Sequence, residues 1–247
     1  MKALRRWSIR FGLFSGAMAS MLWGMTATTL ALPQSQIIEK LKQVPVFTVA
    51  NEKGSPLVAS GGNNSRVTGV FMSQQDAQEF VNNLKKENPE LGNKVQVVPI
   101  SLGRVYKLDK QNEGKSKELD FRYVPMEEEV NSALSVLKQQ GQDIDNFGGV
   151  PLFIARGGED QGYLTVKRGN GDPVIPMFFE KEQLENMIDK FKESQPQNAD
   201  SVKIDVTTLE SVLKTLEENN NEQLKQVVLV PSQESMQFIQ QNSQQQN

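Results

Sequence analysis

From residue 44 onward the chain alternates short β-type runs with longer stretches of helical period. Val44–Ala50 is rich in β-branched and apolar residues, and Gly54-Ser55-Pro56 turns it into a second short run, Leu57–Ser60. Gly61-Gly62-Asn63-Asn64 reads as a loop before a third strand, Val67–Met72. Ser73-Gln-Gln-Asp76 has the form of a capping box. It opens a helix whose apolar residues Ala77, Phe80, Val81 and Leu84 recur at i, i+3, i+4 and i+7, with Pro89 as its stop. Lys94–Val98 predicts a strand, Ser101–Leu108 a short helix and Phe121–Val124 a strand. Pro125 then introduces a helix bearing Val130, Ala133, Leu134 and Leu137.

The same pattern returns about one hundred residues later. Val44-Pro45-Val46-Phe47 reappears as Val150-Pro151-Leu152-Phe153, and the stretch from Phe71 matches the stretch from Phe178 without a gap. Ala77, Phe80, Val81 and Leu84 map onto Leu184, Met187, Ile188 and Phe191; Leu102 and Val105 map onto Leu209 and Val212. In the second copy Thr207-Thr-Leu-Glu210 reads as the cap of the helix lined by Leu209, Val212, Leu213 and Leu216. Tyr123-Val124-Pro125 returns as Leu229-Val230-Pro231, followed by Met236, Phe238 and Ile239. The apolar positions keep register through strands and helices alike. They predict an α/β fold, with α+β as the variant, built of two pseudo-symmetric repeated halves, each roughly βββαβαβα. The predicted boundaries are a first repeat over 44–140, a linker over 141–149 and a second repeat over 150–239.

Outside the repeats, Ser35–Lys42 reads as an amphipathic helix within an N-terminal helical segment 32–43. Residues 240–247 read as a Gln-rich disordered tail. Residues 1–31 have the three parts of a signal peptide: Lys2, Arg5, Arg6 and Arg10, then the uncharged Phe11–Met25, then Thr29-Leu30-Ala31. Cleavage after Ala31 is expected, with no stable membrane span left behind, since the apolar stretch is shorter than the ~20 residues a span needs.

Composition narrows the chemistry. The 247 residues hold no Cys and no His, which removes disulfides, thiol nucleophiles, imidazole bases and Cys/His metal sites. The net charge is −3, with 27 basic and 30 acidic residues. Loss of the four basic residues of the leader makes the remainder more acidic still, unlike a nucleic-acid binder. The glycine loops at 61–64 and 169–171 lack the Gly-Lys-Ser/Thr of a phosphate loop and read as hairpin turns. Glu127-Glu128-Glu129 reads as a solvated first helical turn complementing the helix dipole. No catalytic, cofactor or metal residue is assigned. The candidate binding residues are apolar: Val130, Leu134 and Leu137 on one repeat-ending helix, and Met236, Phe238 and Ile239 on the other, as an exposed face for partner segments.

Several strings in this order and spacing resemble one family: Val44-Pro-Val-Phe-Thr-Val49, Gly69-Val-Phe-Met-Ser73 with Asp76-Ala77, Gly149-Val-Pro-Leu-Phe153, Gly162-Tyr-Leu-Thr165, Phe178-Phe-Glu-Lys-Glu182 and Val230-Pro-Ser-Gln-Glu-Ser235. The chain is similar to the twenty-two-kilodalton intermembrane-space subunit family of the chloroplast inner-envelope translocon, through its cyanobacterial periplasmic homologues. That resemblance implies a non-enzymatic α/β protein without cofactor, bearing apolar surface pockets. It further implies a chaperone-like role in protein translocation and outer-membrane protein biogenesis. The implied partners are unfolded outer-membrane precursors and the periplasmic domains of an Omp-eighty-five-type barrel-assembly protein. The implied location is the periplasm, with a thylakoid-associated or lumenal pool as a variant. The rival reading is an exported small-molecule or lipid-binding protein using a cleft between the halves.

Overall fold

Local capping signals set several of the helix starts in a computed structural model, which describes residues 9–13, 31–60, 66–115, 118–158, 162–168 and 171–245. In the first half these are β1 (Ile9–Leu13), α1 (Gln34–Leu41), β2 (Pro45–Asn51), β3 (Ala59–Ser60), β4 (Arg66–Phe71), α2 (Gln74–Glu87), α3 (Pro89–Gly92), β5 (Val95–Ser101), α4 (Leu102–Asn112), β6 (Leu119–Val124) and α5 (Glu127–Gln139). There follow β7 (Pro151–Gly157), β8 (Gly162–Arg168), β9 (Pro173–Phe178), α6 (Lys181–Ser194), a 3-10 turn (Pro196–Ser201), β10 (Lys203–Thr208), α7 (Leu209–Glu218), α8 (Glu222–Gln226), β11 (Val227–Val230) and α9 (Gln233–Gln245).

The Ser73 hydroxyl accepts from the Asp76 N–H at 3.2 Å and starts α2 where the sequence places it. Asn88 ends α2 and caps α3, its side chain accepting from the Leu91 N–H at 3.1 Å. At the end of α5 the Gly141 N–H reaches the Lys138 carbonyl and the Gln142 N–H reaches the Leu137 carbonyl, with Gly141 at φ 82°. That 6→1 and 5→2 pairing closes the helix and opens the predicted linker.

Two compact units emerge. The first consists of the described residues of Pro33–Asn131, Phe147–Pro151 and Pro231–Asn247. Its five-stranded sheet has the order β3-β4-β2-β5, with β6 parallel to β4. The core is formed by Phe47, Val49, Phe71, Ala77, Val81 and Val95. The second consists of the described residues of Met1–Leu32, Ser132–Asn146 and Leu152–Val230. Its six-stranded sheet has the order β1-β8-β7-β9-β11, and β10 pairs with β7. The strand pairings of the two sheets correspond. Phe47 faces Phe71 across β2 and β4, and Phe153 faces Phe178 across β7 and β9. Likewise β6 runs parallel to β4, and β11 runs parallel to β9.

The compact units cut across the boundaries read from the sequence. The closing helix of the predicted second repeat, α9, belongs to the first unit, because Phe238 packs into the core around Phe47. Helix α5 begins in the first unit and ends in the second. Residues 240–245, expected as a tail, continue α9. Helix α4, expected to end at Leu108, runs on to Asn112. The cap of α7 is Thr208, which accepts from the Ser211 N–H at 3.0 Å; Thr207 is still inside β10. Of the predicted leader, Ile9–Leu13 forms β1 and Ala31 precedes α1; the rest lies outside the described residues, as do the predicted loop over 61–64 and residues 169–170 of the predicted turn. Among the described residues no helix is long and apolar enough to cross a membrane.

An apolar groove beside the closing helix

The N-terminus of α9 is fixed before its apolar residues are placed. The buried Ser232 hydroxyl accepts from the Ser235 N–H at 3.2 Å, and the Ser235 hydroxyl donates to the Met72 carbonyl at 3.4 Å. The Glu234 carboxylate accepts from the backbone N–H of Gln75 at 2.8 Å, in the first turn of α2. One turn on, Phe238 meets Phe47 edge-to-face, with ring centroids 5.2 Å apart and planes at 81°.

With Ser235 and Phe238 turned inward, Met236 and Ile239 face outward, 41% and 40% exposed. They wall an open groove of about 330 Å³ together with Lys42 and Gln43 after α1, Pro45 of β2, and Pro99, Ile100 and Ser101 of β5. The floor is the run in which Pro45 faces Ser101, Val46 faces Ile100 and Phe47 faces Pro99. Strand β5 is an edge, and Pro99 has no N–H to offer there, so the edge is blunted against strand addition. What remains is an apolar concavity with a cation, Lys42, on its rim; Lys42 is paired with Glu39 at 2.6 Å.

Of the six candidate binding residues, the groove takes two, Met236 and Ile239. Phe238 is a core contact rather than a surface one, since the helix turns it onto Phe47. On α5, Leu137 is buried with Ala133 and Val136, and Val130 and Leu134 are half-buried, so no open stripe exists on that helix. Pro45, Pro99 and Ile100 were missed. Proline inside β-type runs was their only signal, and it marks an edge without naming what faces it.

Carboxylates gather around Asp76 in the first turn of α2. Glu127 and Glu128 lie exposed in the first turn of α5, and Glu129 is buried. Partial burial raises the Asp76 pKa above its ordinary value, and the charges of Glu234, Glu79, Glu128 and Glu127 raise it further. Among the described residues no group of three or more acidic side chains is placed to hold a metal ion.

The second unit holds a cavity of about 300 Å³ between its sheet and α7, with Ile154, Met177, Val212 and Val227 among its apolar walls. At its polar end Arg156 Nε lies 2.8 Å from Asp205, a coulombic contact whose N–H direction misses the oxygen. A terminal nitrogen of Arg156 donates to the Tyr163 hydroxyl at 2.9 Å, and the guanidinium stands 4.6 Å from the Tyr163 ring centre. No residue of this polar end is among the candidate binding residues read from the sequence, because each is an ordinary strand position.

Residues 10–241 match the model of the Tic22-like family. Among characterised relatives, the Arabidopsis thaliana protein TIC 22-like, chloroplastic, is 27% identical over 223 residues, covering 87% of this chain and 66% of its own length. The Arabidopsis protein TIC 22, chloroplastic, is 29% identical over 205 residues, covering 82% of this chain and 70% of its own length. Among solved structures, Anabaena Tic22, a protein-transport protein, superposes with a TM-score of 0.76 at 35% identity, over 85% of this chain and 97% of that one.

Proposed function

The chain belongs to the Tic22-like family, and from that premise we propose that it is a non-enzymatic, chaperone-like carrier in protein translocation and outer-membrane protein biogenesis. It works in the periplasm after removal of residues 1–31, holding unfolded outer-membrane precursors and docking on the periplasmic domains of an Omp-eighty-five-type barrel-assembly protein. The observation that carries this reading is the open groove walled by Met236 and Ile239. A flexible thioether adapts to apolar side chains of differing shape, which suits a carrier of many sequences. The groove floor cannot extend as a sheet at Pro99, so capture there is by side chains and stays weak and reversible. The test is a titration of the chain with urea-unfolded porin and, separately, with the periplasmic domains, read by calorimetry or NMR. Saturable binding that weakens at least about tenfold when Met236→Ser is combined with Ile239→Ser supports the reading. No binding to either ligand removes it.

A second reading, an exported small-molecule or lipid-binding protein, is favoured by the cavity of about 300 Å³ in the second unit, apolar with an Arg156–Asp205–Tyr163 end. Organic extraction of purified protein followed by mass spectrometry decides it, a stoichiometric lipid being the supporting result.

A further inference from the structure

In the second unit, β8 is paired on both of its edges at one position. Val166 faces Val174 of β9 on one side and Phe11 of β1 on the other. The β1 ladder is antiparallel and five residues long, from Ile9 opposite Arg168 to Leu13 opposite Leu164. Its acceptor strand is Gly162-Tyr-Leu-Thr-Val-Lys-Arg168, without proline, so every amide of that edge can donate. Leu164, Thr165 and Val166 are buried, as the interior of a sheet rather than an open rim would be. The segment that covers this edge lies within the stretch that reads as a removable leader.

We infer that the β1-facing edge of β8 is a strand-accepting site. Residues Ile9–Leu13 hold it in the uncleaved chain, and an extended client segment with apolar residues at every second position takes it once the leader is gone. The seated strand shows the pattern the site selects: Ile9, Phe11 and Leu13 are apolar and alternate with Arg10 and Gly12. Strands of membrane barrels carry the same alternation, so the inference rests on the carrier reading and names its substrate class.

The chain lacks cysteine, so Arg10→Cys with Lys167→Cys in the full chain gives a clean crosslink test. Directly opposed residues lie within disulfide reach. A second form carries a protease site after Ala31 and is cut only after folding. The probes are a synthetic peptide spanning Ser8–Phe14 and a scrambled version without alternation. The expected results are a spontaneous disulfide and faster exchange of the β1-facing amides of Leu164–Arg168 after cutting. Added peptide slows that exchange again by about tenfold, and the scramble does not. Absence of the disulfide together with exchange that neither cutting nor peptide alters overturns the inference. The carrier reading fails separately: a peptide-responsive edge in a chain that captures no unfolded porin keeps the strand site and removes the client class. Porin capture with an unresponsive edge does the reverse.

Discussion

The carboxylate of Glu234 accepts a hydrogen bond from the backbone N–H of Gln75 at 2.8 Å, across 159 residues of sequence. It serves the positive end of α2 from the start of another helix, so two helix N-termini are tied together by one side chain. Glu234→Ala is expected to lower stability by about 1 kcal/mol, the ordinary worth of a helix cap. Glu234→Gln keeps an acceptor oxygen and should lose less. Urea unfolding midpoints at constant m-value measure both, and equal losses for the two variants would remove the capping account.

The same glutamate bears on how the fold responds to acid. Asp76 is partly buried and faces the charges of Glu234, Glu79, Glu128 and Glu127, so its pKa in the folded chain lies above its unfolded value. The folded state then binds more protons than the unfolded one across that interval, and stability falls as pH rises through it. Above both values the penalty is constant. Asp76→Asn is therefore expected to raise the melting temperature at pH 7 relative to the parent, with the gain shrinking as pH falls through the carboxylate range. A gain that is the same at pH 7 and in the acid range would contradict the repulsion.

Features set by near neighbours were legible in the sequence. Ser73 opens α2 as its capping pattern requires, and Ala77 and Val81 are buried on the face the period predicts, while Phe80 of that face is 42% exposed. The split within α9 was half legible. At about 100° per residue, Met236 and Ile239 lie about 60° apart, while Phe238 lies about 160° from Met236, so the three never shared one face. Which sector is covered depends on β2, whose Phe47 lies 191 positions away in sequence from Phe238, and no local pattern carries that. The opposition of Phe47 and Pro99 that floors the groove is likewise a matter of strand register, fixed by the tertiary sheet. On α5 the period was read correctly and its surroundings were not, since buried and exposed apolar stripes have the same spacing.

Gly103 sets the approach of α4 to α1. A β-carbon there would lie 2.6 Å from the Ile38 carbonyl oxygen and 3.0 Å from the Lys42 nitrogen, both backbone atoms. Neither can swing aside as a side-chain tip would. Gly103→Ala is expected to cost about 1–3 kcal/mol despite the better helix propensity of alanine. It should also perturb amide NMR signals at Lys42 and Gln43, on the groove rim. A neutral or stabilising substitution would show that α1 shifts freely.

The sharpest division runs between two residues of α9 separated by a single position. Phe238 stacks edge-on against Phe47 and packs on the core, so Phe238→Ala should lower stability by about 3 kcal/mol, the low end for a lost aromatic because the ring is only partly buried. Ile239 is 40% exposed and Met236 41%, so Ile239→Ser and Met236→Ser should each change stability by less than about 0.5 kcal/mol. Ligand capture should show the opposite order. The two surface changes together should weaken binding of unfolded porin at least about tenfold, because the groove then presents hydroxyls where it offered a thioether and a branched alkyl group. Phe238→Ala, assayed where it remains folded, keeps both groove residues and should bind within about threefold of the parent. Denaturant melts and the porin titration on the same three proteins give both orders. If the loss of binding tracks the loss of stability across the set, the groove is part of the scaffold and not the capture surface.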